Sequence, residues 1–365
     1  MIINYDGFPS IRQCFKAKKL GIDKPLFLRD NGKKKVRMIL IYPIRRNLMK
    51  KRTTKTLFWL SCALISLTAL SACSANSNNT KSSSSAETAT LKDAAGHEVT
   101  IPDDPKRIIG SYLEDYLVAL NVTPVAQWTV GNNSDQGYLQ EKLSDVPRIN
   151  YDLPYEDVLS YEPDLLLIDS NTMVEGDKYA QYSKIAPTYV VKNGEDVSWR
   201  DRLTDIAKVL HKEDQAKTVE KDYDDLVKTT KQEFSGKING KSVAVLWVTN
   251  NSAFMVADDR SSGQLLYHEL GFSVPPLVSE ISKTATADWS AVSLEKLAEL
   301  DADYMILVNS DQGADFFKDQ VWQNLKAVKE GNLWEFGPES SWLYNGPIAY
   351  TKMIEDVKNK LDENS

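Results

Sequence analysis

The sequence predicts an α/β protein with two Rossmann-like lobes, mostly parallel sheets and one long rigid helix that joins the lobes. Short apolar runs alternate with amphipathic segments from Leu91 onward, which is the pattern of consecutive βα units. A segment at 155–168 recurs in similar form at 294–307. The stretch 199–234 between these segments contains no Gly or Pro and spaces its apolar residues helically, as a long connecting helix would.

The front of the chain differs from the remainder in charge. Residues 1–72 hold 16 Lys+Arg and 3 Asp+Glu, whereas the remainder holds 28 and 48. The formal net charge of −7 therefore hides a strongly acidic body. Because an acidic body repels a phosphate backbone, the composition argues against a nucleic-acid partner.

Residues 49–72 have the plan of a bacterial export signal. A basic region at 49–55 precedes an uncharged stretch of 14 residues, Leu57–Leu70, which is shorter than the roughly 20 residues of a membrane-spanning helix. The tetrapeptide that ends in Cys73 reads Leu-Ser-Ala-Cys and resembles a lipobox. That resemblance implies a lipid on Cys73, a mature chain that begins there, and a location on the outer face of the cell membrane.

The segments on either side of this signal have separate interpretations. Residues 1–48 fit no part of an export signal, so we expect translation to begin at Met49 and residues 1–48 to be a mis-annotated extension. Residues 73–90 are rich in Ser and Asn and predict a flexible tether. The alternative for the apolar stretch is a buried helix that contains a cysteine by chance.

The remaining chain divides into an N-terminal lobe at 91–198, connecting helices at 199–235 and a C-terminal lobe at 236–365. Buried strands are predicted in both lobes, at 107–110, 163–169, 243–248 and 303–308. The connecting segment predicts a helix followed by a longer, partly exposed helix. A stiff connector of this kind limits hinge opening.

The internal repeat relates the two lobes to each other. At an offset of 139 residues, Glu156 aligns with Glu295 and Asp164 aligns with Asp303. Each copy reads as a short helix that opens with Glu, a turn closed by Asp and a buried strand. A second similarity, in the same order along the chain, pairs 117–124 with 267–274.

Catalytic signatures are absent from the sequence. The three histidines, His97, His211 and His268, form no His-Glu-x-x-His motif, and no G-x-S-x-G motif occurs, so the sequence favours a protein that is not an enzyme. Because no cysteine follows Cys73, a transition-metal site made of protein ligands is also not expected.

Aromatic and arginine side chains accompany the predicted loops of both lobes. Ligands of α/β sheets bind at loops beyond the carboxyl ends of strands, and aromatic rings with a few arginines suit a planar or anionic small ligand. Any one of these aromatic residues could instead pack in the core. The candidate ligand-binding residues are Tyr112, Trp128, Trp199, Arg200, Arg202, Arg260, Trp342 and Tyr344.

Residues 90–362 resemble the substrate-binding lipoproteins of ABC importers for ferric siderophores, haem and cobalamin. The segments that carry this resemblance include 101–108, Glu156 with 163–168, 184–188, 199–210, 263–271, 293–297, 322–331 and 342–347. The resemblance implies a monomeric receptor of the class III periplasmic-binding-protein type, with ligand between two lobes and little closure on binding. It also implies that Glu156 and Glu295 dock on arginine pockets of a permease dimer.

The resemblance leaves the ligand open. A ferric hydroxamate or mixed citrate–hydroxamate siderophore is favoured, because the family's hydroxamate binders line their pocket with Trp, Tyr and Arg. Trp199, Arg200, Arg202, Trp342 and Tyr344 match that pattern, and the siderophore itself would hold the iron. Haem and cobalamin remain alternatives within the family. An extracellular α/β hydrolase and an adhesion or sensory lipoprotein are the alternatives of a different class.

Overall fold

Four β-sheets, the largest with three strands in the first half and five in the second, organise residues 89–131 and 134–363, the part of the chain that the computed structural model describes. The predictions for the export signal, Cys73 and most of the tether lie outside these residues. In the described ranges, no helix is both long enough and apolar enough to cross a bilayer.

The strands are short and occur along the whole described chain. They are β1 Thr90–Lys92, β2 Glu98–Thr100, β3 Ile108–Gly110, β4 Gln127–Thr129, β5 Arg148–Asn150, β6 Leu165–Ile168, β7 Thr188–Val190, β8 Val243–Thr249, β9 Ser252–Val256, β10 Trp289–Val292, β11 Tyr304–Asn309 and β12 Leu333–Phe336. The helices are α1 Glu114–Ala119, α2 Gln140–Leu143, α3 Tyr155–Ser160, α4 Lys178–Tyr182, α5 Trp199–Val209, α6 Glu213–Glu233, α7 Ser235–Ile238, α8 Ser261–Gly263, which continues as π-helix to Leu270, α9 Pro276–Ser282, α10 Leu294–Leu297, α11 Gln320–Asn324, α12 Lys326–Lys329 and α13 Pro347–Glu363.

The first half is built on parallel strands. Strands β3, β6 and β7 form one sheet, with β6 in the centre, and β4 pairs in parallel with β5. All four residues of β6 are buried, as expected of a strand that has helices on both faces. A small antiparallel pair, β1 with β2, precedes this sheet.

The second half contains a five-stranded mixed sheet in the order β10-β9-β8-β11-β12. Strands β8, β11 and β12 are parallel, whereas β9 and β10 are antiparallel. The two predicted α/β lobes with mostly parallel sheets are therefore confirmed. Trp289 begins β10, and its backbone pairs with Val256 at the open edge of β9.

The internal repeat has a structural counterpart in both halves. The Asp164 carboxylate accepts hydrogen bonds from the backbone N–H groups of Lys106 at 2.7 Å and Arg107 at 2.9 Å, directly before β3. The Asp303 carboxylate accepts a hydrogen bond from the Ser242 N–H at 2.9 Å, directly before β8. Each aspartate thus joins the start of its own strand to the start of the neighbouring parallel strand.

The helices expected between the two halves are α5 and α6. Ser198 caps α5, because its hydroxyl accepts a hydrogen bond from the Asp201 N–H and the Asp201 side chain bonds back to the Ser198 N–H. Helix α6 has 21 residues and therefore spans about 31 Å. Its buried residues Ala216, Tyr223 and Thr230 recur every seventh position, so one stripe of the helix faces the core.

Candidate functional site

Four aromatic rings meet where the first half contacts the chain segment before α13. The Tyr112 and Trp128 rings pack edge to face with 4.6 Å between their centroids. Tyr344 lies 6.2 Å from Tyr112 and 5.2 Å from Tyr138 between ring centroids. We call Tyr112, Trp128, Tyr138 and Tyr344 the aromatic junction. Three of its members were candidates from sequence.

The end of β3 fixes Tyr112 in an unusual backbone conformation. Its φ is +56°, which costs a residue other than glycine about 1 kcal/mol or more. The preceding residue, Ser111, donates a hydrogen bond from its hydroxyl to the Asp169 carboxylate at 2.9 Å. Because Asp169 follows the adjacent strand β6, this bond joins two strand ends beneath the Tyr112 ring.

Hydrogen bonds hold Tyr344 against the first half. Its hydroxyl donates to the backbone carbonyl of Asp135 at 3.3 Å. The next residue, Asn345, donates to the Asp288 carboxylate at 3.0 Å and accepts a hydrogen bond from the Tyr350 hydroxyl at 3.0 Å. The loop that carries Tyr344 therefore has contacts on both sides of the site.

Tyr138 is the member of the junction that sequence reasoning missed. Its hydroxyl donates to the Asp115 carboxylate at 2.8 Å. The preceding residue, Gly137, packs so closely on the segment after β12 that an added Cβ would lie 2.7 Å from the backbone oxygen of Glu339. A glycine followed by an aromatic residue in a loop is the signal that could have identified it.

Buried carboxyl groups surround the junction. Burial raises the pKa of Glu114 to about 8, against the opposing hydrogen bond that its Oε1 accepts from the Trp128 N–H at 2.7 Å. The Glu114 Oε2 atom is buried with no hydrogen-bond partner among the described residues. Burial also raises the pKa of Asp169, although the positive charge of Arg202 opposes this shift.

The tyrosines of the junction respond to the same surroundings. Burial raises the pKa of Tyr112 well above its ordinary value, and Tyr344, Asp288 and Asp169 raise it further. Burial, with the negative charges of Asp135 and Glu114, raises the pKa of Tyr344 to about 12. Both hydroxyls therefore stay protonated at neutral pH. The Tyr112 hydroxyl can donate a hydrogen bond to a ligand, whereas the Tyr344 hydroxyl already donates to the Asp135 carbonyl and offers a ligand its oxygen as an acceptor.

Arg202 is close enough to Asp169 to oppose the rise of its pKa, and Arg260 joins the two halves. Arg202 donates from Nε to the Lys192 carbonyl at 3.1 Å. Arg260, in the second half, places Nη2 3.8 Å from the Glu195 carboxylate of the first half. Its Nε lies 3.9 Å from the Asp259 carboxylate and is buried without a hydrogen-bond partner in the part of the chain that the structure describes. Arg260 is thus available to an acceptor that enters from between the halves.

The structure assigns Trp199 and Arg200 to a different group. The Arg200 guanidinium lies 4.4 Å from the centroid of the Trp199 ring and 5.1 Å from that of Tyr223, and Nη2 forms an ion pair with Asp224 at 2.6 Å. Tyr223 and Asp224 belong to α6, so this stack stiffens the α5–α6 pair. A surface groove of about 510 Å³ that Arg200 and Asp224 help to line shares no residue with the aromatic junction.

Trp342 requires a correction. Its side chain is fully buried, its Nε1 donates to the Asp356 carboxylate at 2.9 Å, and its ring packs 5.6 Å from that of Phe336. The expectation that Trp342 lines the ligand cleft is wrong, because α13 and β12 enclose the ring in the core of the second half.

The predicted docking residues are both exposed. Glu156 lies in the first turn of α3 and Glu295 in the first turn of α10. Neither carboxylate has an ion-pair partner within residues 89–131 and 134–363. Their similar places in the two halves follow from the internal repeat.

Two α/β halves with an aromatic site between them form the arrangement of a ligand-binding protein. Among the described residues, no cluster of three or more His, Cys, Asp or Glu side chains could hold a metal ion. Residues 112–339 match the family described as periplasmic binding protein, and the chain belongs to that family.

Individual relatives support the same assignment. The iron(3+)-hydroxamate-binding protein FhuD of Bacillus subtilis is 27% identical over 284 residues, which are 76% of this chain and 87% of that protein. Staphylococcus aureus SirA complexed with staphyloferrin B is 25% identical, with a TM-score of 0.63 over 75% of this chain and 99% of that one. S. aureus FhuD2 with bound ferrioxamine B is 25% identical, with a TM-score of 0.60 over 71% of this chain and 99% of that one.

The buried Glu114 carboxyl predicts a pH-dependent stability. The unfolded chain releases this proton near the ordinary value of 4.5, whereas the folded protein holds it to about pH 8. The folded state therefore binds more protons between these values, so stability falls as pH rises and the loss is complete above the folded pKa. Glu114→Gln should remove the part of the decline that Glu114 causes between about pH 5 and 8 and leave the variant more stable at pH 8 by about 4 kcal/mol.

Urea unfolding of both proteins across this pH range measures the effect. Glu141→Gln, at an exposed position on α2, is the control and should follow the unsubstituted protein. If Glu114→Gln loses stability with rising pH as steeply as the unsubstituted protein, Glu114 does not hold the proton.

Proposed function

We propose that the protein is a lipid-anchored extracellular receptor that binds a ferric siderophore and delivers it to the permease of an ABC importer. The observation that carries this proposal is the aromatic junction, because Tyr112 and Trp128 from the first half face Tyr344 from the end of the second. Relatives named for iron(3+)-hydroxamate binding, and structures with bound ferrioxamine B and staphyloferrin B, support the class of ligand.

The proposed mechanism needs binding and no chemistry on the cargo. The organic shell of the siderophore packs on the rings of Tyr112, Trp128 and Tyr344, while the siderophore supplies the oxygen ligands to iron. The Tyr112 hydroxyl, kept protonated by burial, donates a hydrogen bond to that shell. Arg202 and Arg260 supply positive charge, and the stiff α5–α6 pair restricts closure of the two halves.

A hydroxamate siderophore is the preferred cargo, and a mixed citrate–hydroxamate siderophore is the second candidate. The specific observation in favour of the second is the Nε of Arg260, which is buried and forms no hydrogen bond among the described residues, although the Asp259 carboxylate lies 3.9 Å away. A ligand carboxylate would satisfy this donor. Haem is less well supported, because His97 stacks on Tyr179 with 3.4 Å between ring centroids and lies 3.1 Å from the Asp93 carboxylate. That histidine is therefore already engaged in the first half.

Ferric siderophores should quench the intrinsic fluorescence of the purified protein, because Trp128 lies in the proposed contact.

Tyr344→Ala should weaken binding of a ferric hydroxamate about tenfold, through the loss of one stacked ring and of the hydrogen bond to Asp135 that holds its loop in place. Titration with a panel of ferric hydroxamates and ferric citrate, with haem and cobalamin as comparisons, measures the affinity. Trp199→Phe is the control and should bind with unchanged affinity. No quenching by any ferric siderophore would contradict the proposed function.

We also propose that a diacyl lipid on Cys73 holds the receptor at the outer face of the membrane. Two acyl chains give durable anchoring, whereas one gives reversible binding. Cys73→Ser should move the protein from the membrane fraction of cells to the medium or the soluble fraction. Cys62→Ser, in the apolar stretch of the same signal, is the matched control and should stay with the membranes. Retention of Cys73→Ser in the membranes would rule out this anchor.

We propose that Glu156 and Glu295 dock on basic pockets of the two permease subunits. Their exposure, their place in both repeats and their lack of an ion-pair partner in the described ranges support this role. The double variant Glu156→Lys with Glu295→Lys should abolish iron uptake, because like charges oppose docking, while siderophore affinity stays unchanged. Uptake by cells and fluorescence titration of the purified protein separate the two effects, and a drop in affinity would refute a pure docking role.

A further inference from the structure

Two large apolar side chains are exposed on α3, the short helix that carries Glu156. Tyr155 is 40% exposed and Leu159 is 59% exposed, and they are the exposed large apolar residues of the part of the chain described here. Tyr155 directly precedes Glu156, and Leu159 lies one helical turn after it, so all three share one face. We call Tyr155, Glu156 and Leu159 the first docking face.

The first docking face is rigid. Val158, on the opposite side of α3, is fully buried and fixes the helix on the core. The Tyr155 ring packs edge to face on Tyr182, with 4.9 Å between centroids, and the Tyr182 hydroxyl donates to the Leu153 carbonyl at 2.9 Å. Because Tyr155 and the helix are already held in place, a partner that covers this face orders few additional groups.

The corresponding face of the second half lacks the apolar residues. At the repeat offset, Tyr155 corresponds to Leu294, which packs against the core of the second half, and Leu159 corresponds to Ala298. Lys296, beside Glu295, forms ion pairs with Glu280 at 2.9 Å and Glu299 at 2.8 Å. We call Leu294, Glu295 and Ala298 the second docking face, and its surroundings are charged rather than apolar.

The difference between the two docking faces affects how the receptor is oriented, because the internal repeat gives both halves an acidic docking residue at the same place. Two acidic docking points alone would let the receptor bind a two-subunit permease in either of two orientations, one half-turn apart. An apolar contact on only one face makes these orientations unequal in free energy when the two subunits differ. Glu156 and Asp157 give the first face negative charge at its apolar edge, so the complementary surface is apolar with a basic side chain beside it.

We propose that Tyr155 and Leu159 set the orientation of the receptor on a permease of two non-identical subunits, one of which offers an apolar surface next to an Arg or Lys. The second docking face binds the other subunit mainly through charge. This proposal rests on the docking role proposed for Glu156 and Glu295 and adds the contact that tells the two faces apart.

Leu159→Ala is the primary test, because an exposed leucine can be shortened without disturbing the core. Initial uptake of radioactive iron as the ferric siderophore should fall about fivefold or more, while the affinity of the purified protein for that siderophore stays unchanged. Ala95→Ser, at an exposed position of the turn between β1 and β2 and outside both docking faces, is the control and should retain full uptake. Full uptake by Leu159→Ala beside abolished uptake by the Glu156 and Glu295 double variant would overturn this proposal and leave the proposed function standing.

A swapped variant tests orientation itself. Leu159→Ala with Ala298→Leu moves the apolar side chain to the second docking face and should take up iron no faster than Leu159→Ala alone. Recovery of uptake by the swapped variant would show that the two permease subunits are equivalent and would overturn the proposal.

A second copy of the chain is the alternative partner for the first docking face. Sedimentation velocity of the unsubstituted protein should show a monomer, and a dimer that Leu159→Ala dissociates would assign the face to a second copy of the chain. If the unsubstituted protein neither binds a ferric siderophore nor supports uptake, the proposed function fails first, and the two failures are thereby distinguished.

Discussion

The buried carboxylate of Asp115 is the interaction on which the arrangement of the site depends. It accepts hydrogen bonds from the backbone N–H groups of Ile348 at 2.9 Å and Ala349 at 2.8 Å, in the first turn of α13, and from the Tyr138 hydroxyl. A carboxylate at a helix N-terminus satisfies otherwise unpaired donors and interacts favourably with the helix dipole. Gly346 permits the approach, since an added Cβ there would lie 2.4 Å from the Asp115 carboxyl carbon.

The hydrogen bonds from Ile348 and Ala349 fix the start of α13 to Asp115 in the first half. Tyr344 lies only a few residues before these bonds, so they set its distance from Tyr112. Burying the carboxyl groups of Asp115 and Glu114 lowers the stability of the folded state. Burial raises the pKa of Asp115 to about 6 against these opposing hydrogen bonds, and Glu114 keeps one oxygen unpartnered among the described residues. A structure optimised only for stability would avoid such groups, which is consistent with a preformed binding site that is maintained at the expense of stability.

The fold could be predicted from the sequence because its local patterns, the apolar runs, the amphipathic segments and the internal repeat, agree with the tertiary contacts. Asp164 and Asp303, which align in the internal repeat, join strand starts in both halves. Tyr112 follows the end of β3, in a loop beyond a strand. Trp342 shows where such reasoning fails. A tryptophan in a turn-rich loop gives the same local signal whether it faces a cleft or the core, and here a hydrogen bond to Asp356, on the following helix, determines its position. The surrounding buried carboxyl groups were missed because only tertiary packing makes them buried.

A ferric siderophore should lie at the aromatic junction, between the two halves. An anomalous difference map at the iron absorption edge, from crystals of the mature protein grown with a ferric hydroxamate, locates the metal. We expect one iron peak between the halves, surrounded by siderophore oxygens and next to Tyr112, Trp128 and Tyr344, with no protein atom bound to the metal. An iron peak on the outer face of α6, or one coordinated directly by protein side chains, would contradict it.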